Sequence, residues 1–412
     1  MRIRTDLTGW PGSAGARRDR SSTVGGRIAD SQRRTTVHRM DDGLRSPSES
    51  RMSDNRTDLN HKKILFVRLS SLGDVILTLP TLKAIKDRYP HASIAWLVQR
   101  SLQDVLTGNP YLDEIIPVDL LSVTDKYSTP RTWTQGAARL LSNLIQARRI
   151  FQERQFDIVF EFQALFKSAI FAFLNRGAER YGFKNGKELS RIFLNRPIFV
   201  RDKSRHAVQN YLDFARYFGC PTEAVEFPIH VPKQDQDYVD GILSEKGIKP
   251  GDLTVFISAT ARWQSKFWEP EYFAQLGDEM VPRYGAKLIF SGLPSEGDYL
   301  RTITDMMQQH AIIMAGRTNI KQFFALMKRC RLFVGVDGGA MHAAAAFGIP
   351  VIALFGPAIT QWVGPFGQQN GIITRSVSCA PCNKKRCNDK RCMREITPDV
   401  VLEKVAQVIT SM

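Results

Sequence analysis

Residues 62–80, KKILFVRLSSLGDVILTLP, constrain the fold of this chain more than any other segment. Their apolar run predicts a strand over residues 64–69, because parallel strands that are covered on both faces are continuously apolar. The turn after it contains the small residues Ser70, Ser71 and Gly73, which allow a sharp bend and a close approach to a ligand. A helix is predicted to begin at Asp74, at the carboxyl edge of the sheet where open α/β sheets bind ligands. Asp74 is therefore the candidate for the chemistry.

The rest of the chain repeats this alternation of strand and helix in two series. In the first we predict strands over residues 93–98, 115–118 and 158–162, and helices over 79–89, 102–106, 134–153 and 164–174. In the second we predict strands over residues 254–258, 287–290, 312–314, 332–336 and 351–355, and helices that begin at Pro270, Glu296, Asn319 and Met341. Two such series predict an α/β protein with two doubly wound, Rossmann-like domains that face each other across a cleft.

The length of 412 residues suits two hydrophobic cores. A stretch with three prolines and a polar helix, residues 228–251, separates the two series. We therefore place an N-terminal domain over residues 62–232, a C-terminal domain over 233–397 and a final helix over 398–412. Residues 1–61 are rich in Arg, Ser, Thr, Asp and Gly and lack apolar periodicity, which predicts a disordered basic tail.

The formal net charge of +16 is large for this length. A basic surface suits an anionic small substrate, nucleic acid or the acidic face of a membrane, and solvated lysines explain it equally well. The tail has mixed charges without interleaved aromatics, so we expect no nucleic-acid partner. The sequence has neither an apolar run long enough to cross a membrane nor an apolar N-terminal signal, and we expect a cytoplasmic protein.

A second informative segment covers residues 333–357, FVGVDGGAMHAAAAFGIPVIALFGP. Its strand ends at Asp337, and a helix of small residues follows. The backbone amides of Gly338, Gly339 and Ala340 at the start of that helix predict a site for a diphosphate, although a Gly-Gly turn is also used for tight packing. The segment matches neither a Walker A loop nor the dinucleotide GxGxxG pattern. His342 is either a phosphate contact or a helix histidine whose hydrogen bonds are satisfied within the protein, and in isolation the second interpretation is favoured.

Two further residues follow strands of the second series. Lys266 lies in SATARWQSKFWEPEYF, where its charge would meet a phosphate or would simply be solvated in a loop. Glu296 lies in SGLPSEGD, where it would accept hydrogen bonds from a ribose or would cap a helix.

Four cysteines cluster near the C-terminus in the pattern C-x2-C-x4-C-x4-C, at Cys379, Cys382, Cys387 and Cys392. Thiolates in a basic loop are good ligands, so a structural zinc or iron site is one interpretation. The spacing is shorter than in common zinc ribbons, and reduced thiols or a redox-labile loop are favoured over a metal. Cys220 and Cys330 are predicted to be isolated buried thiols.

Four segments occur together and in order: VRLSSLGDVILTLP, SATARWQSKFWEPEYF, VDGGAMHAAAAFGIPVIALFGP and the Cys-rich stretch that ends CMREITPDVV. In this combination the chain resembles the ADP-heptose:lipopolysaccharide heptosyltransferases, glycosyltransferase family 9. The resemblance covers residues 62 to 410 and leaves out the tail. It implies the GT-B fold, with the acceptor bound by the N-terminal domain and the nucleotide sugar by the C-terminal domain.

The resemblance implies that heptose is transferred with inversion from ADP-L-glycero-D-manno-heptose to a lipopolysaccharide inner-core acceptor, Kdo or heptose. Asp74 would be the general base, and Lys266 would stabilise the departing phosphate. The acceptor side would comprise Ser70, Ser71 and Gly73. The donor side would comprise Thr260, Lys266, Glu296, Asp337, Gly338, Gly339, Ala340 and His342. No cofactor or catalytic metal is expected, and the acceptor on lipid A would bring the protein to the inner leaflet, with a peripheral contact to the membrane.

The chain departs from the family pattern at two positions. The family often has Asp-Thr-Gly where this chain has Asp337-Gly338-Gly339, and the core heptosyltransferases often have His where it has Leu77. Alternatives are therefore another nucleotide sugar, or a protein or O-antigen acceptor. A more remote alternative is a non-catalytic basic module that binds nucleic acid or anionic lipid, although motifs placed at strand ends argue against it.

Overall fold

The computed structural model describes residues 57–119 and 133–412, and for residues 133–140 the backbone alone. Most of the predicted disordered tail lies outside these residues, but Leu59, inside its predicted range, is fully buried. The described residues are organised by two six-stranded sheets in which all strand pairs are parallel. This confirms the predicted α/β class.

The first sheet has the strand order β3-β2-β1-β4-β5-β6. Its strands are β1 (Lys63–Val67), β2 (Ser93–Gln99), β3 (Glu114–Val118), β4 (Ile158–Glu161), β5 (Glu179–Phe183) and β6 (Arg196–Phe199). The helices of this half are α1 (Leu72–Arg88), α2 (Gln103–Leu106), α3 (Trp133–Arg154), α4 (Phe166–Leu174) and α5 (Ala207–Tyr217).

The second sheet has the order β12-β11-β10-β7-β8-β9. Its strands are β7 (Thr254–Ser258), β8 (Lys287–Phe290), β9 (Ala311–Ile313), β10 (Leu332–Val336), β11 (Val351–Leu354) and β12 (Ile372–Ile373). The helices are α6 (Lys233–Glu245), α7 (Pro270–Tyr284), α8 (Gly297–Met306), α9 (Ile320–Arg329), α10 (Gly339–Ala346), α11 (Thr360–Val363), α12 (Arg391–Arg394) and α13 (Pro398–Thr410).

The central strands are buried along their whole length, as expected for parallel sheets covered by helices on both faces. Aromatic rings fill the core of the first half, where the ring centroids of Phe162 and Phe214 are 4.4 Å apart. One apolar cluster continues from Phe66 and Val75 in the first half to Met341 in the second. The two halves therefore share a hydrophobic core.

Several predicted boundaries were wrong. Helix α1 begins at Leu72, because Ser71 is its N-cap, so Asp74 lies within the first turn instead of opening the helix. Helix α10 begins at Gly339 instead of Met341, directly after the extended Gly338. Helix α8 begins one residue after Glu296, and β9 begins one residue before Ile312. Six elements of the described residues were not predicted from the sequence: β5, β6, α5, α11, β12 and α12.

Within the residues that the structure describes, no helix combines the length and the apolar character needed to cross a membrane.

Candidate active site

The order of the strands marks one crevice in each sheet. In the first sheet, β1 to β3 are added toward one edge and β4 to β6 toward the other, so the direction reverses between β1 and β4. In the second sheet the same reversal lies between β7 and β10. These two positions are the topological switch points. Loops at the carboxyl ends of such neighbouring strands diverge, and ligands of open α/β sheets bind between them. Asp74 follows β1, Lys266 follows β7 and Asp337 follows β10. The sequence-predicted residues therefore lie at both switch points.

Asp74 is held by the first turn of α1. Its Oδ2 accepts hydrogen bonds from the backbone N of Ser71 at 3.1 Å and from Ser71 Oγ at 3.0 Å. The capping residue is a serine because its side chain and backbone can both engage a carboxylate in the first turn. The side chain of Asp74 is 40% exposed, so it is fixed in place while still open to a ligand.

Arg68 forms an ion pair with Asp74 through Nη2 and Oδ1. The guanidinium is almost fully buried, and it also donates to the Phe162 carbonyl and to the hydroxyl of Tyr211, both at 2.7 Å. The Tyr211 hydroxyl in turn lies 3.4 Å from Asp74 Oδ1. Burial alone would raise the pKa of Asp74, but Arg68 and the hydrogen bonds from Ser71 outweigh it and hold that pKa below its usual value. Asp74 is therefore an ionised carboxylate with a fixed orientation.

Ser70, the first residue of the predicted acceptor loop, is linked to the strand beside β1. The Nε2 of Gln163, which follows β4, donates to Ser70 Oγ at 3.3 Å, and Gln163 Oε1 accepts from the backbone N of Leu69 at 3.0 Å. The loops after β1 and β4 therefore form one surface at the first switch point.

Lys266 and Asp337 form an ion pair across the second switch point, with Nζ 2.5 Å from Oδ2. Both side chains are largely buried, at 15% and 6% exposed. Burial raises the pKa of Asp337, and the attraction of Lys266 opposes that rise. The ammonium of Lys266 also lies 4.8 Å from the centroid of the Trp263 ring. Lys266 is thus held in place at the edge of the sheet, and its role as a phosphate contact stays a prediction.

The amino end of α10 lies next to this ion pair. Gly338 is the extended N-cap residue of α10, and a side chain there would be in ordinary contact, at 3.7 Å, with the carbonyl oxygen of Thr260. Thr260, Lys266 and the turn Asp337–Ala340 are therefore brought together as predicted. The first amides of α10 and the positive end of its dipole favour an anion at this point.

The two halves touch at Gly73 and His342. A Cβ on Gly73 would lie 2.4 Å from Cδ2 of His342, so only glycine allows the imidazole to pack against α1. Likewise, a Cβ on Gly339 would lie 3.0 Å from Cδ2 of Leu72. The glycines are therefore needed for a direct contact between the Asp74 loop and the first turn of α10.

His342 is buried and neutral. Burial, with repulsion from His206 and Lys266, lowers its pKa to about 3, although Asp74 acts in the opposite direction. Its Nδ1 is buried without a hydrogen-bond partner among the described residues. The neutral ring packs against α1, but its Nδ1 lacks the hydrogen bond that a satisfied helix histidine would make.

Glu296 ends the short 3-10 helix Pro294–Glu296 that follows β8, and its Oε2 accepts from the backbone N of Leu293 at 2.6 Å. The structure thus gives Glu296 the capping role that was one of its two interpretations. Leu77, one of the two positions where the sequence departs from the pattern it resembles, is buried in the core at 2% exposed. Position 77 therefore presents no side chain to the crevice.

The Cys-rich loop packs against the turn that carries Lys266. Ser265 Oγ donates to the Lys384 carbonyl at 2.6 Å, and Lys385 Nζ lies 6.0 Å from the Trp263 ring centroid. Burial raises the pKa of the Cys392 thiol, and the neighbouring Cys379, Cys382 and Cys387 raise it further. No group of three or more His, Cys, Asp or Glu among the described residues is arranged to hold a metal ion. Cys220 and Cys330 are buried free thiols, as predicted.

Arg68, Tyr211 and His206 were not predicted from the sequence as parts of the site. Arg68 had a local signal, because it is a charged residue inside an otherwise apolar strand segment. Tyr211 had none, since α5 is separated from Asp74 by 137 residues. The Nδ1 of His206 accepts from the backbone N of Val208 at 3.2 Å, and its Nε2 lies 2.9 Å from the carbonyl oxygen of Gly364. This second contact joins the two halves of the protein.

A cleft of about 690 Å³ lies elsewhere, at the amino ends of β4 and β5, and its lining includes Phe151, Asp157 and Asn175. Because it is at the opposite edge of the first sheet from the switch point, we assign none of the chemistry to it.

Comparison with known proteins identifies the class. The family model of glycosyltransferase family 9 (heptosyltransferase) matches residues 145–393, more than half of the chain. A lipopolysaccharide core heptosyltransferase of Haemophilus influenzae is 25% identical over 320 residues, which cover 76% of this chain and 84% of that protein.

Solved structures show the same fold. The family 9 glycosyltransferase of Veillonella parvula superimposes with a TM-score of 0.73 at 24% identity, and covers 87% of this chain and 99% of its own. The heptosyltransferase WaaC of E. coli, with ADP-2-deoxy-2-fluoro heptose, superimposes with a TM-score of 0.62 at 21% identity, covering 84% and 99%. These similarities confirm the GT-B fold.

The fold and the site at its two switch points define a glycosyltransferase of the GT-B class. The chain belongs to glycosyltransferase family 9, the heptosyltransferase family. The remote alternative of a non-catalytic basic module is therefore set aside.

Proposed function

We propose that this protein transfers heptose, with inversion, from ADP-L-glycero-D-manno-heptose to Kdo or heptose of a lipopolysaccharide inner core. One observation carries the proposal: the carboxylate of Asp74 and the cationic turn around Lys266 flank the contact between Gly73 and His342. A base and a phosphate site on opposite sides of one crevice suit a transfer between two bound substrates. The relatives named above support heptose as the sugar and ADP as the nucleotide.

In the proposed reaction the acceptor hydroxyl lies against Asp74. As its oxygen attacks the anomeric carbon of heptose, its proton passes to an Asp74 carboxylate oxygen. The bond between that carbon and the ADP phosphate oxygen breaks, and the electron pair leaves with ADP. The low pKa of Asp74 makes it a weak base, so we expect proton transfer to follow the development of positive charge on the attacking oxygen.

Lys266 and the first amides of α10 would bind the diphosphate and stabilise the charge that builds on it. Fixed positive groups aimed at developing charge are usually the largest electrostatic contribution of an enzyme. Asp337 holds the Lys266 ammonium at this position before the donor binds. Thr260 and His342 would complete the donor pocket, while Ser70, Ser71 and Gly73 would line the acceptor side. Glu296 would contact the ribose only by leaving its backbone hydrogen bond, and no step requires it to do so.

The basic composition and the lipid-linked acceptor point to a cytoplasmic enzyme that works at the inner leaflet of the membrane. This location rests on the proposed acceptor, since only lipid A anchors that sugar to a bilayer. Nucleic acid is not proposed as a partner.

The proposal is tested by transfer assays with purified protein. ADP-heptose, GDP-sugars and UDP-sugars are offered with a Kdo-terminated or a heptose-terminated core fragment, and products are identified by mass spectrometry. We expect a product one heptose heavier from ADP-heptose, of inverted anomeric configuration by NMR. A product formed only from a GDP- or UDP-sugar would refute the donor. Transfer only to a peptide or to O-antigen would refute the acceptor.

A further inference from the structure

Four large apolar side chains of the first half face solvent on and beside α4. Phe166 and Phe173 are 42% and 44% exposed, and Leu189 and Ile192 are 73% and 68% exposed. Single exposed apolar residues are ordinary, but a group that belongs to neighbouring elements marks a contact surface. We call this group the α4 surface.

Phe193 contacts both exposed phenylalanines of α4. Its ring centroid lies 5.3 Å from that of Phe166 and 5.6 Å from that of Phe173, both in edge-on contact. The short 3-10 helix Ser190–Phe193 thereby packs against α4, and Ile192 belongs to this helix while Leu189 is its N-cap residue. The four exposed side chains are therefore parts of one packed surface.

The backbone presents Leu189 at an energetic cost. Glu188 and Leu189 have φ values of 55° and 58°, in the left-handed region that disfavours residues with a Cβ. The Glu188 carboxylate accepts from the backbone N of Phe166 at 3.3 Å, which ties this turn to the start of α4. A costly conformation that exposes a leucine indicates that the exposure serves a function.

The surroundings of the α4 surface are basic. Residues 166–192 contain six Lys or Arg and two Glu, a surplus of four positive charges. The exposed cations of this segment include Arg176, Lys184, Lys187 and Arg191. Exposed apolar side chains in a segment with a surplus of exposed cations are complementary to a bilayer with anionic headgroups, into which aromatic and aliphatic side chains insert.

We propose that the α4 surface docks this protein onto an anionic lipid bilayer, with Leu189 and Ile192 inserted and Lys187 and Arg191 at the headgroups. The surface is continuous with the acceptor side of the site. The backbone N of Lys187 donates to the Ala164 carbonyl at 2.9 Å, and the preceding Gln163 contacts Ser70. Docking here brings the Asp74 loop to the lipid surface. The benefit of this arrangement rests on the proposed lipid-linked acceptor, but the binding itself does not.

The test is cosedimentation of the full chain with vesicles of phosphatidylethanolamine and phosphatidylglycerol, compared with vesicles of phosphatidylcholine alone. We expect binding to the anionic vesicles that high salt weakens. The double variant L189S/I192S should lower the partition coefficient by about tenfold or more, because two aliphatic side chains no longer leave water. The variant K187Q/R191Q should lower it on the order of tenfold on anionic vesicles.

The matched control is Y238S/M306S, which removes two exposed apolar side chains, 46% and 41% exposed, from helices of the second half. This control should bind like the unchanged protein, and a loss equal to that of L189S/I192S would overturn the proposal. So would equal binding to both vesicle types. If L189S/I192S instead dissociates a dimer while vesicle binding is absent, the surface is a contact between copies, and the proposal is wrong.

Transfer to an acceptor fragment without lipid chains separates this proposal from the proposed function. The variant L189S/I192S should keep that activity and lose transfer to the same acceptor presented in vesicles. Vesicle binding without any heptose transfer would refute the proposed function and leave the docking surface standing.

Discussion

The charge state of the site is set residue by residue. Asp74 is kept ionised by Arg68 and Ser71, and burial keeps His342 neutral. The carboxylate of Asp74 and the imidazole of His342 therefore differ in what they can do. Asp74 can accept a proton, while His342 packs against the loop that carries it.

The pKa values of Asp74 and His342 lead us to expect that kcat/KM changes little as the pH is lowered. Since the pKa of Asp74 lies below its usual value, Asp74 stays ionised as pH falls from 8 to 5. His342, with a pKa of about 3, changes charge only in more acidic solution. We expect kcat/KM to show no acid limb near the ordinary histidine pKa, measured over that range with saturating donor.

The variant R68Q tests the cause of that flat profile. Without the guanidinium, burial should dominate, and the pKa of Asp74 should rise. The acid limb should then move to higher pH, and R68K should restore part of the shift. A variant that loses activity equally at every pH would contradict this role of Arg68.

Replacing Lys266 should lower both the activity and the stability of the protein, for two different reasons. The variant K266A should lower kcat by about 10²–10³-fold, as when a group that stabilises a leaving oxyanion is removed. It should also cost about 3–5 kcal/mol in urea unfolding, because Asp337 is left buried and unpaired.

The double variant K266A/D337N should recover stability without recovering activity, and K287A, exposed at the start of β8, is the control. Recovery of activity in the double variant would show that Lys266 serves only to neutralise Asp337.

At the scale of the elements, the contact between α1 and α10 determines how closely the two halves of the site approach. The variant G73A should force the His342 ring or the helix to move and cost about 1–3 kcal/mol in denaturant unfolding, with a loss of activity. The double variant G73A/H342A should recover part of the stability, because the two residues are in contact.

The control for this contact is G241A in α6, where an added Cβ meets nothing within 4 Å. It should be neutral or slightly stabilising. A cost of G73A no larger than that of G241A would contradict the packing described here.

The elements that the sequence predicted well are those with strong local patterns. β7, β8 and β10 are where their apolar runs predicted, and the loops after β1, β7 and β10 contain the predicted site residues. β5 and β6 were not predicted because they are short and charged residues, Glu179 and Arg180 in β5 and Arg196 in β6, break up their apolar runs. The link from Arg68 to Tyr211 escaped because contacts between distant segments leave no local periodicity. The structure bears out the capping interpretation of Glu296, while the catalytic and binding roles assigned to the site residues stay predictions.

At the scale of the whole molecule, the halves are joined by a shared apolar cluster and by specific polar contacts. Lys321 of α9 donates to the Thr107 carbonyl at 2.7 Å and to the His230 carbonyl at 2.6 Å. Burial lowers its pKa to about 8, so the ammonium still predominates at pH 7. This side chain therefore connects the second half to one loop of the first half, at Thr107, and to the start of the linker, at His230.

The variant K321A should leave two carbonyls without their donor and cost about 1–3 kcal/mol, measured by urea unfolding at pH 7. K328A, on the exposed side of the same helix, is the matched control and should change little. Equal effects of the two variants would show that the contact between the halves does not depend on Lys321.

Asp74 is proposed as the base of a glycosyl transfer. The most direct measurement compares single-turnover rates and donor affinity of D74N with those of the exposed control D305N. We predict that D74N lowers the rate of transfer by about 10²–10⁴-fold while ADP-heptose binds with unchanged affinity. A D74N enzyme that transfers heptose at a near-normal rate would refute the assignment of Asp74 as the base.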